Sequence, residues 1–352
     1  MPIVYFALSI YHIFFRGAST AATYDVLVHL LILIYIFHRN TNHALAMHKE
    51  FLCIAKWAIY SMVPVVAFSV WLFINQQFYA DVFGLQGISL GYQSYYSRLY
   101  VFMHPNGSAM LLLICLYFTF FVQANSARKY LLLHIPMVML FALALFFTQS
   151  RTVMLAGLVS AFLWCIIWLI QHKNIKKHLH TAIWLPLVFS LVIVTITACA
   201  EHAKSIELRS FTEGLSSFSN RIDIWKAIIQ AFAAKPMALL TGTLTDGLYG
   251  FFKDYLFFEI SSAHNAWLEI LLIGGVVSLL LFVITIVQSF ITILRNFKKC
   301  MANKGFSFIF VLLVALLICS LMESVLLYSV SISNAIFFLC LGYCYTIAKQ
   351  SI

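Results

Sequence analysis

The chain has 352 residues, of which 63% are apolar and only 10% charged, and its mean hydropathy is +0.95. Globular domains run near half apolar and a quarter charged, so a soluble fold is excluded and a polytopic membrane protein with short connections is expected. The net charge of +10 would suggest an acidic partner in a soluble protein, but here Lys and Arg first report sidedness, and nucleic acid is not the expected partner.

In chain order, ten apolar stretches stand out at 2–15, 22–38, 51–75, 107–125, 130–149, 152–171, 181–200, 266–294, 305–329 and 331–348. Each is read as a helical span, because about 20 residues rising 1.5 Å apiece cross the hydrocarbon. The start, Met1 to Phe15 followed by Arg16, lacks the basic opening and small-residue cleavage site of a signal peptide and reads as a first short span. Four basic groups, Arg39/Lys49, Arg128/Lys129, Lys173/Lys176/Lys177 and Arg295/Lys298/Lys299/Lys304, follow even-numbered spans and fall on one face, which the positive-inside rule makes cytoplasmic. The opposite face receives 75–106, the tight turn 149–152 and a large loop at 201–265. The expected fold is therefore an all-α bundle of about ten spans forming a single integral membrane domain over 1–352. Its large periplasmic loop at 201–265 carries an amphipathic helix.

Within that loop Asn220 and Asp223 suit an N-cap and an acidic N3 residue, after which Ile222, Trp225, Ile229 and Phe232 recur at helical spacing until Pro236. The pattern alone leaves open whether this helix lies along the membrane face, covers a cavity or packs on the bundle. A turn with Gly242, Gly247 and Gly250 follows, then an aromatic stretch through Phe251 to Phe258. The eight cysteines lie mostly inside apolar runs, with no C-x-x-C pair, and read as small buried residues.

The candidate chemistry sits on the non-cytoplasmic side. Its bases include Arg98, Arg151, Arg209 and Arg221 where the cytoplasmic loops are mostly Lys, and a guanidinium fork grips phosphate oxygens in pairs. Arg151, between two long apolar runs, either snorkels to headgroups or serves a function, since a charge at membrane depth costs about 3 kcal/mol or more. His264, with Asn265, Trp267 and Glu269 after it, stands where the loop re-enters the membrane, and is either a helix-start residue or a general base for a sugar hydroxyl. Arg98 lies in an aromatic segment before His104-Pro105-Asn106; its tyrosines suit sugar stacking or an interfacial belt equally. Asp25, Lys56 and Glu323, at span edges, are too sparse to define an ion relay.

Four pieces in order resemble the O-antigen ligase and polymerase superfamily of bacterial envelope polysaccharide enzymes. They are Arg98 with His104-Pro105-Asn106, the R-x-x-x-L of Arg151 to Leu155, Asn220-Arg221 to Trp225 with Lys235-Pro236 and Gly242, and His264-Asn265 to Leu268-Glu269. They run from about residue 90 to 295 of the chain. The resemblance implies a metal-independent, inverting glycosyltransferase of the bacterial inner membrane, needing no cofactor and active on the periplasmic face. Its donor would be an undecaprenyl-diphosphate-linked glycan and its acceptor lipid A-core or another glycan. In that reading His264 is the base, Arg151, Arg221 and Arg98 hold the diphosphate, and Asn265, Asn106 and Glu269 support them. Family members commonly carry more spans, and Leu244 stands where a second glycine is often found. A polymerase would use the same donor. A secondary transporter, the reading from a different class, would show inverted repeats and paired broken helices, and the sequence displays neither.

The sidedness is testable directly. Ser219→Cys and Ser262→Cys should label with an impermeant thiol reagent in intact spheroplasts, and labelling only after lysis would reverse the topology.

Overall fold

The computed structural model describes residues 44–75, 90–93, 98–101, 105–171, 221–243, 251–256, 263–323 and 332–350. The expected spans at 2–15, 22–38 and 181–200, the Asn220 cap, His104, and the turn through Gly247 and Gly250 lie outside the described residues.

The seven remaining apolar runs are helices. They are α1 (Ala44–Ile74), α2 (Pro105–Ala124), α3 (Leu131–Phe147), α4 (Arg151–Gln171), α7 (Ala266–Arg295), α9 (Phe306–Ser320) and α10 (Ile332–Gln350). Between them come α5 (Arg221–Ala234), α6 (Pro236–Thr241) and the short α8 (Phe297–Cys300). Among the described residues four helices, Leu45–Ile74, Pro105–Ala124, Arg151–Leu169 and Ala266–Arg295, are long and apolar enough to cross a membrane. The protein is thus mostly helical, with one departure from the all-α expectation. An antiparallel hairpin pairs β1 (Leu90–Gln93) with β2 (Arg98–Val101), register Gln93 opposite Arg98.

The described residues fall into two compact units. One takes those of 49–210 and 301–316. Its centre is α2, buried along most of its length, as expected of a helix apolar all round. The Ser108 hydroxyl of α2 accepts from Val101 N at 2.9 Å and donates to Val101 O at 3.2 Å, which fixes β2 against the helix start. Tyr117 Oη and Ser160 Oγ, 2.6 Å apart, join α2 to α4.

The other unit takes the described residues of 1–48, 211–300 and 317–352. Its α5 begins with Arg221, carries Asp223 in its first turn and stops before Pro236, as the spacing predicts. The buried stripe, however, is Ile224, Ala227, Ile228, Ala231 and Phe232. Ile222 and Ile229, expected on the apolar face, are 37% and 64% exposed. The helix has apolar residues on two sides, and the side with two alanines packs closely on Phe252 and Leu272.

α7 breaks at Gly275, whose φ of +69° and ψ of −174° only glycine adopts readily. Gly242, at φ +76°, lies against the break. A Cβ on Gly242 would come 2.2 Å from Ile273 O, and one on Gly275 would come 2.1 Å from Leu240 O. The two backbones therefore touch with no side chain between them, and Thr243 binds Leu272 O through N at 2.6 Å and Oγ1 at 3.0 Å.

Ala at Gly242 or Gly275 should each lower stability by about 1–3 kcal/mol, read as an earlier thermal transition of purified protein. Gly157→Ala is the contrast, because its Cβ meets only Leu113 Cδ1 at an ordinary 3.4 Å. It should melt with the wild type or slightly above it. A wild-type transition in Gly275→Ala would mean that the contact constrains nothing.

Candidate active site

The start of α7 is built by side chains that satisfy backbone groups. Asn265 is the N-cap, its Oδ1 accepting from Trp267 N and Leu268 N, both at 3.0 Å. Two residues earlier, Ala263 N donates to Glu269 Oε1 at 3.1 Å, and Ala263 O accepts from Trp225 Nε1 of α5 at 3.0 Å. Glu269 is fully buried. Between these anchored neighbours stands His264 at φ +47°, a left-handed conformation uncommon outside glycine and more often met at functional sites. His264 is therefore not the cap, since Asn265 fills that role, and its side chain is 39% exposed.

The residue that joins the site together is Glu323. It sits just past α9 in a turn where Leu321 N bonds Ile318 O and Met322 N bonds Cys319 O. That turn ends α9 at Ser320, short of the run expected to 329. Glu323 Oε1 accepts from Arg221 Nη2 at 2.5 Å, and its Oε2 lies 3.8 Å from His264 Nδ1. The first is a charge-assisted hydrogen bond; the second is ion-pair distance only. The start of α7 also holds this turn, through Asn265 Nδ2 to Leu321 O and Trp267 Nε1 to Ser320 Oγ, each 3.0 Å. Arg221 and Glu323 side chains are 11% and 6% exposed.

Of the sequence-predicted site residues, this unit thus gathers Arg221, His264, Asn265 and Glu269. Glu323, which the sequence offers only as a member of too sparse an ion relay, is not assigned to this site by any local motif, its partners being 102 and 59 positions away in the chain. The available signal was a lone carboxylate at the edge of an apolar run, which is costly to keep without a partner.

The other unit holds Arg98, Asn106 and Arg151. Arg98 donates from Nε to Thr148 O and from Nη2 to Asn106 Oδ1, both at 2.7 Å. The first of these places a cation at the C-terminal end of α3, where helix carbonyls concentrate negative potential. Thr148 Oγ1 donates to Leu145 O at 2.6 Å, and Gln149 turns the chain at φ +52°. Arg151 then opens α4, half-buried. Arg98 and Asn106 so brace the turn that delivers Arg151. Among the described residues no three His, Cys, Asp or Glu side chains gather as a metal site.

Residues 135–283 match the family model described as O-antigen ligase. The match supports an O-antigen ligase-like family. It is the family that the motifs resemble, and it points to a membrane enzyme of glycosyl transfer, ligase or polymerase. The matched segment holds Arg151, Arg221 and His264, while Arg98, Asn106 and Glu323 fall outside it. No curated protein and no solved structure matches the chain at a significant level.

The two roles of Asn265, cap and tether, separate by measurement. Asn265→Ala removes the α7 cap and the tether to Leu321, so it should lower stability by about 1 kcal/mol or more, while Asn265→Asp keeps the cap and loses only the tether. Thermal transitions in the order wild type, Asp, Ala are expected. Identical transitions would show that Asn265 holds neither element.

Proposed function

We propose that the protein transfers a glycan from an undecaprenyl-diphosphate carrier to a sugar hydroxyl on the periplasmic face of a bacterial inner membrane, as an O-antigen ligase acting on lipid A-core. The observation that carries this reading is the grouping of a mostly buried arginine and a half-buried histidine on one carboxylate, within a chain matching the O-antigen ligase model. A polymerase would use the same donor and the same groups and differ in its acceptor.

The chemistry needs a cation for the leaving diphosphate and a base for the acceptor. Arg221 supplies the first. Its guanidinium has donors beyond the one given to Glu323, and it neutralises charge that grows on the diphosphate as the glycosidic bond breaks. Arg151, and Arg98 with it, are proposed as further diphosphate cations on residue type and resemblance. His264 Nε2 accepts the hydroxyl proton while the acceptor oxygen attacks the anomeric carbon. The electron pair of the broken C–O bond leaves with undecaprenyl diphosphate, so a single displacement inverts that carbon. No metal is called on, because guanidinium groups take its electrostatic part.

His264→Ala, present at normal level, should still bind undecaprenyl diphosphate but lose transfer by about 100- to 10,000-fold, the usual range for a removed base. Arg221→Lys and Arg151→Lys keep charge and lose the fork, and should retain far less activity than charge alone would give. Assay is by ligation in purified membranes, with lipopolysaccharide from a deletion strain examined for carrier-linked O-antigen. Full ligation by His264→Ala would reduce that residue to a structural one, and abolition of transfer by chelator would end the metal-free reading. A deletion strain with normal ligation but unpolymerised glycan would favour the polymerase.

A further inference from the structure

We propose that Glu323 is the positioning residue of this site, holding Arg221 before the donor binds and turning to His264 once the diphosphate takes over Arg221. The inference rests on the reading of Arg221 as donor grip and His264 as base. The carboxylate is shared unequally, with Oε1 on Arg221 at 2.5 Å and Oε2 at 3.8 Å from His264 Nδ1. In this arrangement, therefore, the arginine is matched and the histidine stands at ion-pair distance only.

A diphosphate competes for the same guanidinium with more charge and more acceptor oxygens than a carboxylate. When it binds, the attraction that keeps Glu323 on Arg221 falls. Glu323 is buried, with its side chain 6% exposed, and His264 Nδ1, 3.8 Å from its Oε2, is within reach. Closing the gap by about 1 Å makes a hydrogen bond. Its turn is fixed by Asn265 and Trp267 through Leu321 and Ser320, so a change of side-chain torsion suffices.

The bond from His264 Nδ1–H to Glu323 selects the tautomer whose Nε2 carries the lone pair, and it stabilises the imidazolium formed by proton uptake. The acceptor O–H proton passes to Nε2, the acceptor oxygen bonds the anomeric carbon, and undecaprenyl diphosphate departs with the electron pair. Donor binding thereby prepares the base, and the protein resists activating an acceptor with no glycan to receive.

The test uses the full chain in nanodiscs, with undecaprenyl diphosphate as the binding probe and a carrier-linked glycan for turnover. In Glu323→Gln the probe Kd should be unchanged or lower, because a competitor for Arg221 has gone, while kcat falls on the order of 100-fold without a rise in donor KM. Added to His264→Ala, the same change should cost no further activity. A purely structural Glu323 would instead weaken probe binding in step with transfer, which overturns the proposal, as does an unchanged kcat. Glu323→Asp, which keeps the charge but reaches less far, serves if Gln does not accumulate; retained probe affinity with reduced kcat supports the proposal, and wild-type kinetics overturn it. If His264→Ala itself transfers normally, the base reading has failed, whatever Glu323→Gln shows.

Discussion

An ion pair withdrawn from water constrains everything around it. Arg221 and Glu323 meet at 2.5 Å with little solvent contact, in a chain that is 63% apolar. Such a pair adds little net stability over apolar side chains of equal size, yet removing one partner strands the other at a cost of about 3–5 kcal/mol. Its presence is thus better explained by chemistry than by folding energy. An arginine kept out of water and matched by a replaceable partner is a strong receptor for a more highly charged anion.

Holding two residues 102 positions apart to hydrogen-bonding distance requires both backbones to be fixed, and the packing does this from two directions. Arg221 is placed by α5, whose Ile224, Ile228 and Phe232 pack with Phe252 and Leu272. Leu272 belongs to α7, and its carbonyl also receives both donors of Thr243. One residue of α7 therefore fastens the segment just after α6 through its backbone and joins the apolar cluster of α5 through its side chain. Glu323 is placed from the other end of the same region, where Asn265 and Trp267 hold the turn after α9. The Gly242 and Gly275 contact sits at the root of this arrangement, since any side chain there would push α6 off α7 and shift α5 with it.

The seven described apolar helices were legible because hydropathy over a helix length is a physical requirement of the bilayer and shows in composition alone. The ends of α5 were legible too, through Asp223 and Pro236. Its buried face was not, because Ile222 and Ile229 are as apolar as Ile224 and Ile228, and only the partner surface selects between the stripes. His264 and Arg221 could be singled out because each sits in a short motif with a recognisable order. The hairpin at β1 and β2 was masked by its tyrosines, which read as readily as a stacking surface or an interfacial belt. Glu323 could not be assigned from sequence, since its meaning lies wholly in contacts across long separations, and a carboxylate near a span end has many fates.

Side-chain exposure falls from 39% at His264 to 11% at Arg221 and 6% at Glu323. This order matches the demands of the proposed reaction. The base must touch an acceptor that arrives from outside and leaves as product, so it needs an open face. The guanidinium must hold a charge that grows during bond breaking, and such a contact strengthens where water is sparse. The carboxylate touches neither substrate in this scheme and has only to reach the other two, so it lies deepest. A ligase and a polymerase place the same demands on all three groups. On the proposed mechanism their difference is therefore written in the surface around His264, and not in the Arg221–Glu323 pair.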